Sequence, residues 1–251
     1  MRFSVLASGS KGNCTYLETQ NHKILIDMGT TTKYIENTLI ELGINPNSID
    51  SIFITHDHKD HISALNVFIK KYHPNIYMTN KLKEALESKL TITNHIPLQE
   101  QLILDDLSLN VIKTSHDASD SVGFVFETNS SSLVYITDTG YINVKYFNLL
   151  KNKKTYIFES NHDVEMLMNG KYKHDLKVRI LGDRGHLSNE MSSDYLSNLI
   201  GDKTEYIVLA HLSDENNTYE KAYETLLKKI GKTSKKVLIA KQKERTELIE
   251  I

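Results

Sequence analysis

The chain contains very little cysteine, since Cys14 is the only one among its 251 residues. A single cysteine excludes an internal disulfide framework and a metal site built from several thiolates, and it fits a reducing compartment. Long apolar runs are also missing, because no stretch approaches the roughly 18 residues of a membrane-spanning helix. The N-terminal MRFSVLASGS has too short an apolar segment for a secretory signal. We therefore predict a cytoplasmic protein that makes no use of a membrane.

Neither sign of charge dominates the sequence. The 30 Lys and Arg residues nearly balance the 32 Asp and Glu residues, which gives a formal net charge of −2. The whole protein would not attract nucleic acid, so a polyanionic substrate would have to be held by local features. The length suits one large α/β domain, and no low-complexity linker or short repeat interrupts the chain. We predict a single domain over residues 1–251.

The pattern of apolar residues predicts short strands at first and more helices later. The predicted strands are FSVLAS, CTYLET, KILIDMG, SIFITH, NIYMT, Leu102–Leu104, Leu107–Lys113, SVGFVFET, SLVYITD, TYIFES, YIVLAH and KKVLIA. The predicted helices are TKYIENTLIELG, residues 81–89 and 143–150, segments after Asn161 and after Leu187, and TYEKAYETLLKKI. This order favours an α/β fold in which two sheets pack together and helices lie outside.

The stretch HDHKDH, residues 56–61, places three imidazoles and two carboxylates at the end of the predicted strand SIFITH. Burying such a cluster is costly, and a metal ion would compensate the cost. His56 and His58 point to the same side of an extended chain, while Asp60 and His61 follow where the chain can turn into a helix. A surface histidine cluster is the alternative, but this spacing is rare by chance. Because four ligands from one loop cannot complete two metal sites, the motif predicts further ligands at distant strand ends.

Three polar residues of suitable type end apolar strands farther along the chain. His116 ends LNVIKTSH, Asp138 ends LVYITD and His211 ends YIVLAH. Strand ends are positions from which side chains converge on a common edge of a sheet. Each residue taken alone would fit a hydrogen-bonded strand end, but together with the loop they favour one shared metal centre.

These motifs resemble those of the metallo-β-lactamase superfamily, which also has counterparts of LIDMG and ITDTG. The resemblance implies its αββα sandwich, with two mixed β-sheets flanked by helices, and two divalent metal ions per chain. Zinc, manganese and iron all suit nitrogen and oxygen ligands without sulfur. By position, the resemblance implies His56, His58 and His116 at metal site one, and Asp60, His61 and His211 at metal site two, with Asp138 bridging. Asp27 would fix the tautomer of a ligand from behind, or would simply belong to a turn.

Five further stretches resemble the YycJ/WalJ branch of DNA exonucleases over nearly the whole chain. They are LASGSKGNCTYLET, SHDASDSVGF, IFESNHDVEMLMNGKY, RILGDRGHLSNEMSS and LAHLSDENN. Ala64 departs from the branch, where many relatives have glycine, and this leaves the packing of the following helix open. The branch implies a metal-dependent phosphodiesterase that degrades DNA from an end, with 5′-to-3′ polarity. The residues themselves reveal neither polarity nor strand preference.

The motif GHLSN resembles the His-Ser-Thr motif of RNase Z phosphodiesterases, and FES resembles their partner glutamate. This implies that His186 protonates the leaving oxygen and that Glu159 keeps its imidazole charged. Asp60 is the alternative proton donor. Plain helix capping by Ser188 or Asn189, with His186 exposed in a loop, is the competing interpretation.

Predicted substrate contacts lie in the same motifs and in the N-terminal SGSKGN loop. They are Ser188, Asn189, His162 and Asn13. Asn161 fits an N-cap equally well, and a hairpin turn explains SGSKGN as well as a phosphate loop does. The basic run 228–243 is either a solvated face or a DNA track.

Two other functions stay open from the sequence alone. One is a small-molecule hydrolase on the same fold, such as a cyclic phosphodiesterase or a hydroxyacyl thioesterase, and the other is a metal-bound module without catalysis. GHLSN and Glu159 favour phosphodiester chemistry, while the intact ligand set argues against a module without catalysis. Neither the physiological metal nor the oligomeric state can be predicted.

Overall fold

The computed structural model describes residues 1–251 as two seven-stranded sheets packed against each other. The strands are β1 (Arg2–Ala7), β2 (Cys14–Glu18), β3 (Lys23–Ile26), β4 (Ser51–Phe53), β5 (Asn75–Met78), β6 (His95–Pro97), β7 (Gln101–Leu104), β8 (Leu107–Lys113), β9 (Val122–Glu127), β10 (Ser132–Ile136), β11 (Thr155–Glu159), β12 (Tyr206–Ala210), β13 (Lys236–Ile239) and β14 (Ile249–Glu250). The helices are α1 (Thr32–Glu41), α2 (Lys59–Ile62), α3 (Leu65–Tyr72), α4 (Asn80–Leu86), α5 (Phe147–Leu150), α6 (Val164–Asn169), α7 (His174–Leu181), α8 (Asn189–Leu199) and α9 (Tyr219–Ile230), with 3₁₀ turns at Pro46–Ser48 and Val144–Tyr146. None of these helices has both the length and the apolar character needed to cross a membrane.

Both sheets are mixed, and each has an antiparallel side and a parallel side. Sheet one has the order β14-β1-β2-β3-β4-β5-β6, and its pairs from β3 to β6 are parallel. Sheet two has the order β13-β12-β11-β10-β9-β8-β7, and its pairs from β10 to β13 are parallel. Parallel neighbours need crossover connections, which place helices on the outer faces. The predicted αββα sandwich is therefore confirmed.

Three apolar layers hold the sandwich together. Between the sheets, the ring of Phe53 stacks on Tyr77 with centroids 4.4 Å apart, and it meets the edges of Phe124 and Phe126. Outside sheet one, buried side chains of α1, α3 and α4 form a second layer. Outside sheet two, α5, α8 and α9 form the third. Apolar burial on both faces of each sheet explains why its strands are so uniformly hydrophobic.

Most predicted elements occur in the structure, and the differences concern their ends. The strand SIFITH stops at Phe53, three residues before His56. The N–H of Ile54 still donates to the carbonyl of Tyr77 in β5 at 3.0 Å, but the next N–H leaves the ladder. That of Thr55 donates to the Asp27 carboxylate at 2.9 Å instead of continuing a ladder. The helix after Asn161 begins at Val164, and its N-cap is Asp163, so the interpretation of Asn161 as an N-cap is wrong. The helix predicted over residues 81–89 ends earlier, at Leu86.

Short or weakly periodic segments were not predicted. Strands β6 and β14 have only a few residues, and α7 has no buried residue from which an apolar period could be recognised. Ala64, at which the sequence left the packing open, is only 2% exposed, and its N–H donates to the carbonyl of Met28 at 2.8 Å. The packing of α3 is therefore intact.

Phe53→Ala should lower the free energy of unfolding by about 3–5 kcal/mol, because it leaves a cavity among packed rings between the sheets. Ile103→Ala is the matched control, since Ile103 is 82% exposed and its truncation should change stability by less than about 0.5 kcal/mol. Urea unfolding in the presence of a chelator measures both. Equal losses in the two variants would contradict the assigned inner layer.

Candidate metal centre

One edge of the sandwich collects the carboxyl ends of strands from both sheets. In sheet one, β3 and β4 are parallel. In sheet two, β8 and β10 both run antiparallel to β9, and β11 and β12 continue parallel to β10. Within each sheet these strands therefore end at one edge. The two edges meet, since Asp138 after β10 lies 3.1 Å from His61 of the loop after β4. The residues at or just after their ends are Asp27, His56, His116, Asp138, Glu159 and His211.

Three of these residues adopt left-handed backbone conformations. The φ angles are 60° at Asp27, 55° at Asp138 and 57° at His211. Residues other than glycine seldom adopt this conformation, and it costs free energy that the surrounding structure must supply. At a strand end it turns the side chain away from the direction the pleat would give it. The backbone thus re-aims side chains toward the centre at three separate strand ends.

The HDHKDH loop is tied tightly to the turn after β3. A Cβ at Gly29 would lie 1.5 Å from the carbonyl oxygen of Asp60, so only glycine allows this approach. The N–H of Met28 donates to the carbonyl of His61 at 2.7 Å, and that of Asn13 donates to the carbonyl of Asp60 at 2.8 Å. These bonds hold the second half of the loop in place.

The seven residues predicted as ligands lie close together. Within each of the following groups the candidate ligand atoms are within 4.8 Å of one another: His56, His58 and His116; Asp60, His61 and His211; His56, His61 and Asp138; and Asp138, Glu159, His186 and His211. The Asp138 carboxylate lies between ligands of different groups, and its Oδ1 is 3.8 Å from Nε2 of His116. Its Oδ2 is 3.1 Å from Nε2 of His61, and its Oδ1 is 3.4 Å from Nε2 of His211.

Several buried atoms at the centre lack a hydrogen bond. They are Nε2 of His56, Nε2 of His211 and Oδ2 of Asp138. Leaving a buried polar atom unsatisfied costs about 1–3 kcal/mol, so such atoms call for a further partner. Imidazole nitrogens and carboxylate oxygens in these groupings fit divalent transition metals. The residues present therefore suit the metal ions that the sequence predicts.

On four of the histidines, the nitrogen that faces away from the centre has a partner. The pairs are His56 Nδ1 with Thr55 Oγ1 at 3.0 Å, His61 Nδ1 with Asp27 Oδ2 at 2.8 Å, His116 Nδ1 with the Gly185 carbonyl at 3.1 Å, and His211 Nδ1 with Glu159 Oε1 at 3.0 Å. A partner on the outer nitrogen leaves the lone pair of the inner one free for a metal ion and fixes the ring.

The electrostatics divide the histidines into two kinds. Burial lowers the pKa of His56 well below its ordinary value and also lowers the pKa of His116, so both rings are neutral as a ligand must be. Burial opposes charge on His61 as well, but the Asp27 and Asp138 carboxylates outweigh it and raise its pKa to about 10. Carboxylates likewise outweigh burial at His211 and raise its pKa. The side of the centre that contains His61 and His211 therefore favours protonated imidazoles.

Glu159 and His186 form a direct pair, with Nδ1 of His186 2.7 Å from Oε1 of Glu159. The same oxygen also meets His211, and Oε2 accepts the backbone N–H groups of Thr139 and Leu187 at 3.0 and 3.2 Å. Burial alone would raise the pKa of Glu159, but the two imidazoles outweigh it and lower the pKa to about 2. One carboxylate therefore serves two imidazoles, which the sequence did not suggest.

The four predicted substrate contacts lie behind the surface of the site. Ser188 is the N-cap of α8, and Asn189 is fully buried, with Oδ1 accepting from Ser160 Oγ at 2.7 Å. His162 is 1% exposed. Asn13 is equally buried and places Nδ2 2.9 Å from Nε2 of His61. The structure thus brings Asn13 to a candidate ligand and places the others in the supporting layer.

Above the centre lies a cleft of about 250 Å³. His186, His211 and Asp138 lie at its base, and Tyr172, Arg179 and Arg184 form a wall provided by α7 and its flanking loops. Residues of the basic run 228–243 do not line it. The sequence analysis did not predict this wall. The basic and aromatic residues in and around KYKH and DRGH could have indicated a surface that binds a polyanion.

Comparison with known proteins gives consistent results. A family model described as the metallo-beta-lactamase superfamily matches residues 7–211. The exodeoxyribonuclease WalJ of Streptococcus pneumoniae is 37% identical over 237 residues, which cover 92% of this chain and 88% of that protein. The exodeoxyribonuclease YycJ of Bacillus anthracis is 38% identical over 230 residues, which cover 88% and 86% of the two chains.

Among solved structures, the metallo-beta-lactamase fold protein YhfI from Bacillus subtilis superposes with a TM-score of 0.75. The match covers 98% of this chain and 99% of that one, at 16% sequence identity. At this identity the similarity concerns the fold, and it agrees with the two-sheet sandwich described above.

Zinc or manganese should raise the melting temperature of the protein, and a chelator should reverse the effect, because the ions bind only the folded state. Free metal at 100 times its dissociation constant stabilises by about 2.7 kcal/mol. Asp138→Asn should remove most of this shift. Asp106→Asn is the control, since Asp106 lies at the opposite end of β8 and bonds Thr19. Equal metal-induced shifts in both variants would contradict the assignment.

Proposed function

This chain belongs to the metallo-β-lactamase superfamily, and we propose that it is a dinuclear metal-dependent exonuclease that acts on DNA. The observation that carries the proposal is the His186–Glu159 pair beside two groups of candidate ligand atoms, with Asp138 close to His61 of one group and His116 of the other. The names of the two relatives, both exodeoxyribonucleases, support the choice of substrate. Polarity from 5′ to 3′ and a cytoplasmic location are parts of the same proposal.

The metal ions would be held as the motif predicts. His56, His58 and His116 would hold one ion, Asp60, His61 and His211 the other, and Asp138 both. When bound, such ions activate a water molecule for attack and offset the charge of phosphate oxygens. Asp27 supports this arrangement from behind, because it accepts from the Thr55 hydroxyl and from His61. The ligand types suit zinc or manganese, and iron as well.

His186 is proposed as the general acid. Its Nδ1 is occupied by Glu159, which leaves Nε2 to carry a proton toward the cleft. Glu159 orients the ring through this bond, and an imidazolium can protonate a departing deoxyribose oxygen. The backbone holds the ring in place, since the N–H of His186 donates to the Ile180 carbonyl at 3.0 Å. Asp60 remains the alternative donor.

The cleft wall suits a phosphate backbone. Arg179 and Arg184 are fixed positive charges beside the base of the cleft, and arginine pairs with phosphate through two parallel hydrogen bonds. Tyr172 offers an aromatic face on which a base could stack. In this proposal Ser188, Asn189 and His162 support the His186 loop from the buried layer and do not touch substrate.

End-labelled DNA should be shortened from one end in the presence of manganese, and chelation should stop the reaction. RNA and a generic phosphodiester are digested in parallel, and elemental analysis of the loaded protein should approach two ions per chain. The His116→Ala variant, which lacks a predicted ligand, provides the negative control. Hydrolysis of thioesters or lactones alone would replace this proposal by the small-molecule hydrolase.

His186→Ala should retain both metal ions and lower the rate on DNA by about 10²–10⁴-fold, the usual contribution of acid catalysis. The loss should shrink on a nitrophenyl phosphodiester, because that leaving group needs no proton. His22→Ala, in the turn between β2 and β3 away from the centre, is the matched control. Glu159→Gln should lower both rate and metal affinity, since Glu159 also holds His211. An equal loss of rate on both substrates for His186→Ala would refute the acid role.

A further inference from the structure

His58 differs from the other four histidines of the predicted ligand set. Its Nδ1 lies 3.1 Å from Nε2 of His116. Because the other nitrogen of His116 bonds to Gly185, its Nε2 faces the centre, and so does Nδ1 of His58 beside it. The outer nitrogen of His58, Nε2, has no hydrogen bond. Histidine ligands of metal ions nearly always have a partner there.

Asp117 is the carboxylate that faces this outer nitrogen. Its Oδ1 lies 3.8 Å from Nε2 of His58 and is itself buried without a hydrogen-bond partner. The same oxygen is 3.5 Å from Nε2 of His116, but that nitrogen faces the centre, where a ligand has no proton to donate. The other oxygen, Oδ2, accepts from Nε of Arg179 in the cleft wall. Nε2 of His58, which lacks an acceptor, thus lies next to Oδ1 of Asp117, which lacks a donor. The side chains of His58 and Asp117 are 32% and 25% exposed, so small rotations can close the gap.

We propose that Asp117 is the positioning residue for His58. Its Oδ1 accepts the Nε2–H of His58, which selects the tautomer that presents Nδ1 to metal site one, and Arg179 holds the carboxylate in place. In this proposal Asp117 positions His58 and is not itself a ligand, and it stands outside the groups whose ligand atoms lie within 4.8 Å of one another. The inference rests on the proposed metal site but not on the proposed DNA substrate.

The competing interpretation is an ordinary surface ion pair between Asp117 and Arg179. Arg179 is 59% exposed, and exposed pairs of this kind contribute little to stability. That interpretation accounts for Oδ2 but leaves the buried Oδ1 without a function. It also predicts that removal of the carboxylate changes nothing at the metal centre, which an experiment can distinguish.

The test uses zinc titration of the metal-free protein against a chromophoric competitor. Asp117→Ala should weaken one of the two zinc sites by about 10–100-fold, the usual effect of losing such a partner. Asp117→Asn should weaken it less, because an amide oxygen can still accept the bond without its charge. Asp120→Ala is the matched control from the same loop, since Asp120 bonds only Lys113 and Thr79.

A second measurement follows the ring N–H groups of the zinc-loaded protein by NMR. The Nε2–H signal assigned by its loss in His58→Ala should be present in the native protein and in Asp120→Ala, and it should exchange rapidly in Asp117→Ala. If Asp117→Ala does not fold, Asp117→Asn provides the comparison. Native affinity and an unchanged N–H signal in the folded variants would overturn the proposal.

Two further outcomes are distinct from these. Complete loss of one ion at saturating zinc in Asp117→Ala would make Asp117 a ligand and would overturn its positioning role. Failure of the native protein to bind any zinc would refute the proposed metal site itself. Since neither measurement contains nucleic acid, a failure of the proposed DNA activity would leave both results unaffected.

Discussion

The centre of this protein depends on keeping buried carboxylates charged. Asp27 and Glu159 are fully buried and Asp138 is 2% exposed. A buried charge is tolerated only when hydrogen bonds and opposite charge compensate for the lost water. Asp27 and Glu159 have such partners, whereas one oxygen of Asp138 has no well-aligned bond. The surrounding imidazoles lower the pKa of Asp138 and Glu159, and the left-handed strand ends bring these groups together.

The fold was predicted correctly from the sequence, and the candidate ligands were recognised there, because the signals for both are local. The candidate ligand His211 directly follows β12, and His116 comes three residues after the end of β8, so residue type and strand end can be recognised within one short segment. The second bond of Glu159, to His211, depends on the spacing between β11 and β12 and has no local signal. The wall formed by α7 was not predicted either, since a helix without a buried face has no apolar periodicity.

Burial explains why motif residues differ in their location. Ser188 and Asn189 stand beside His186 in the chain, yet the start of α8 turns them inward, where they cap the helix and bond Ser160. His186 remains at the cleft because its backbone is attached to the end of α7. Proximity in sequence therefore predicted the right segment but could not predict which side chains face the cleft.

The cleft joins two parts of very different local stability. Its base is built on β11 and β12, central strands whose residues are almost all buried, whereas α7 buries no residue and exposes Val178 and Leu181. Segments with few buried contacts open at a small fraction of the global unfolding free energy. Amide hydrogens of α7 will therefore exchange through local opening, while those of β11 exchange only on global unfolding. The side of the cleft that carries Arg179 is therefore expected to open without unfolding the strands at its base.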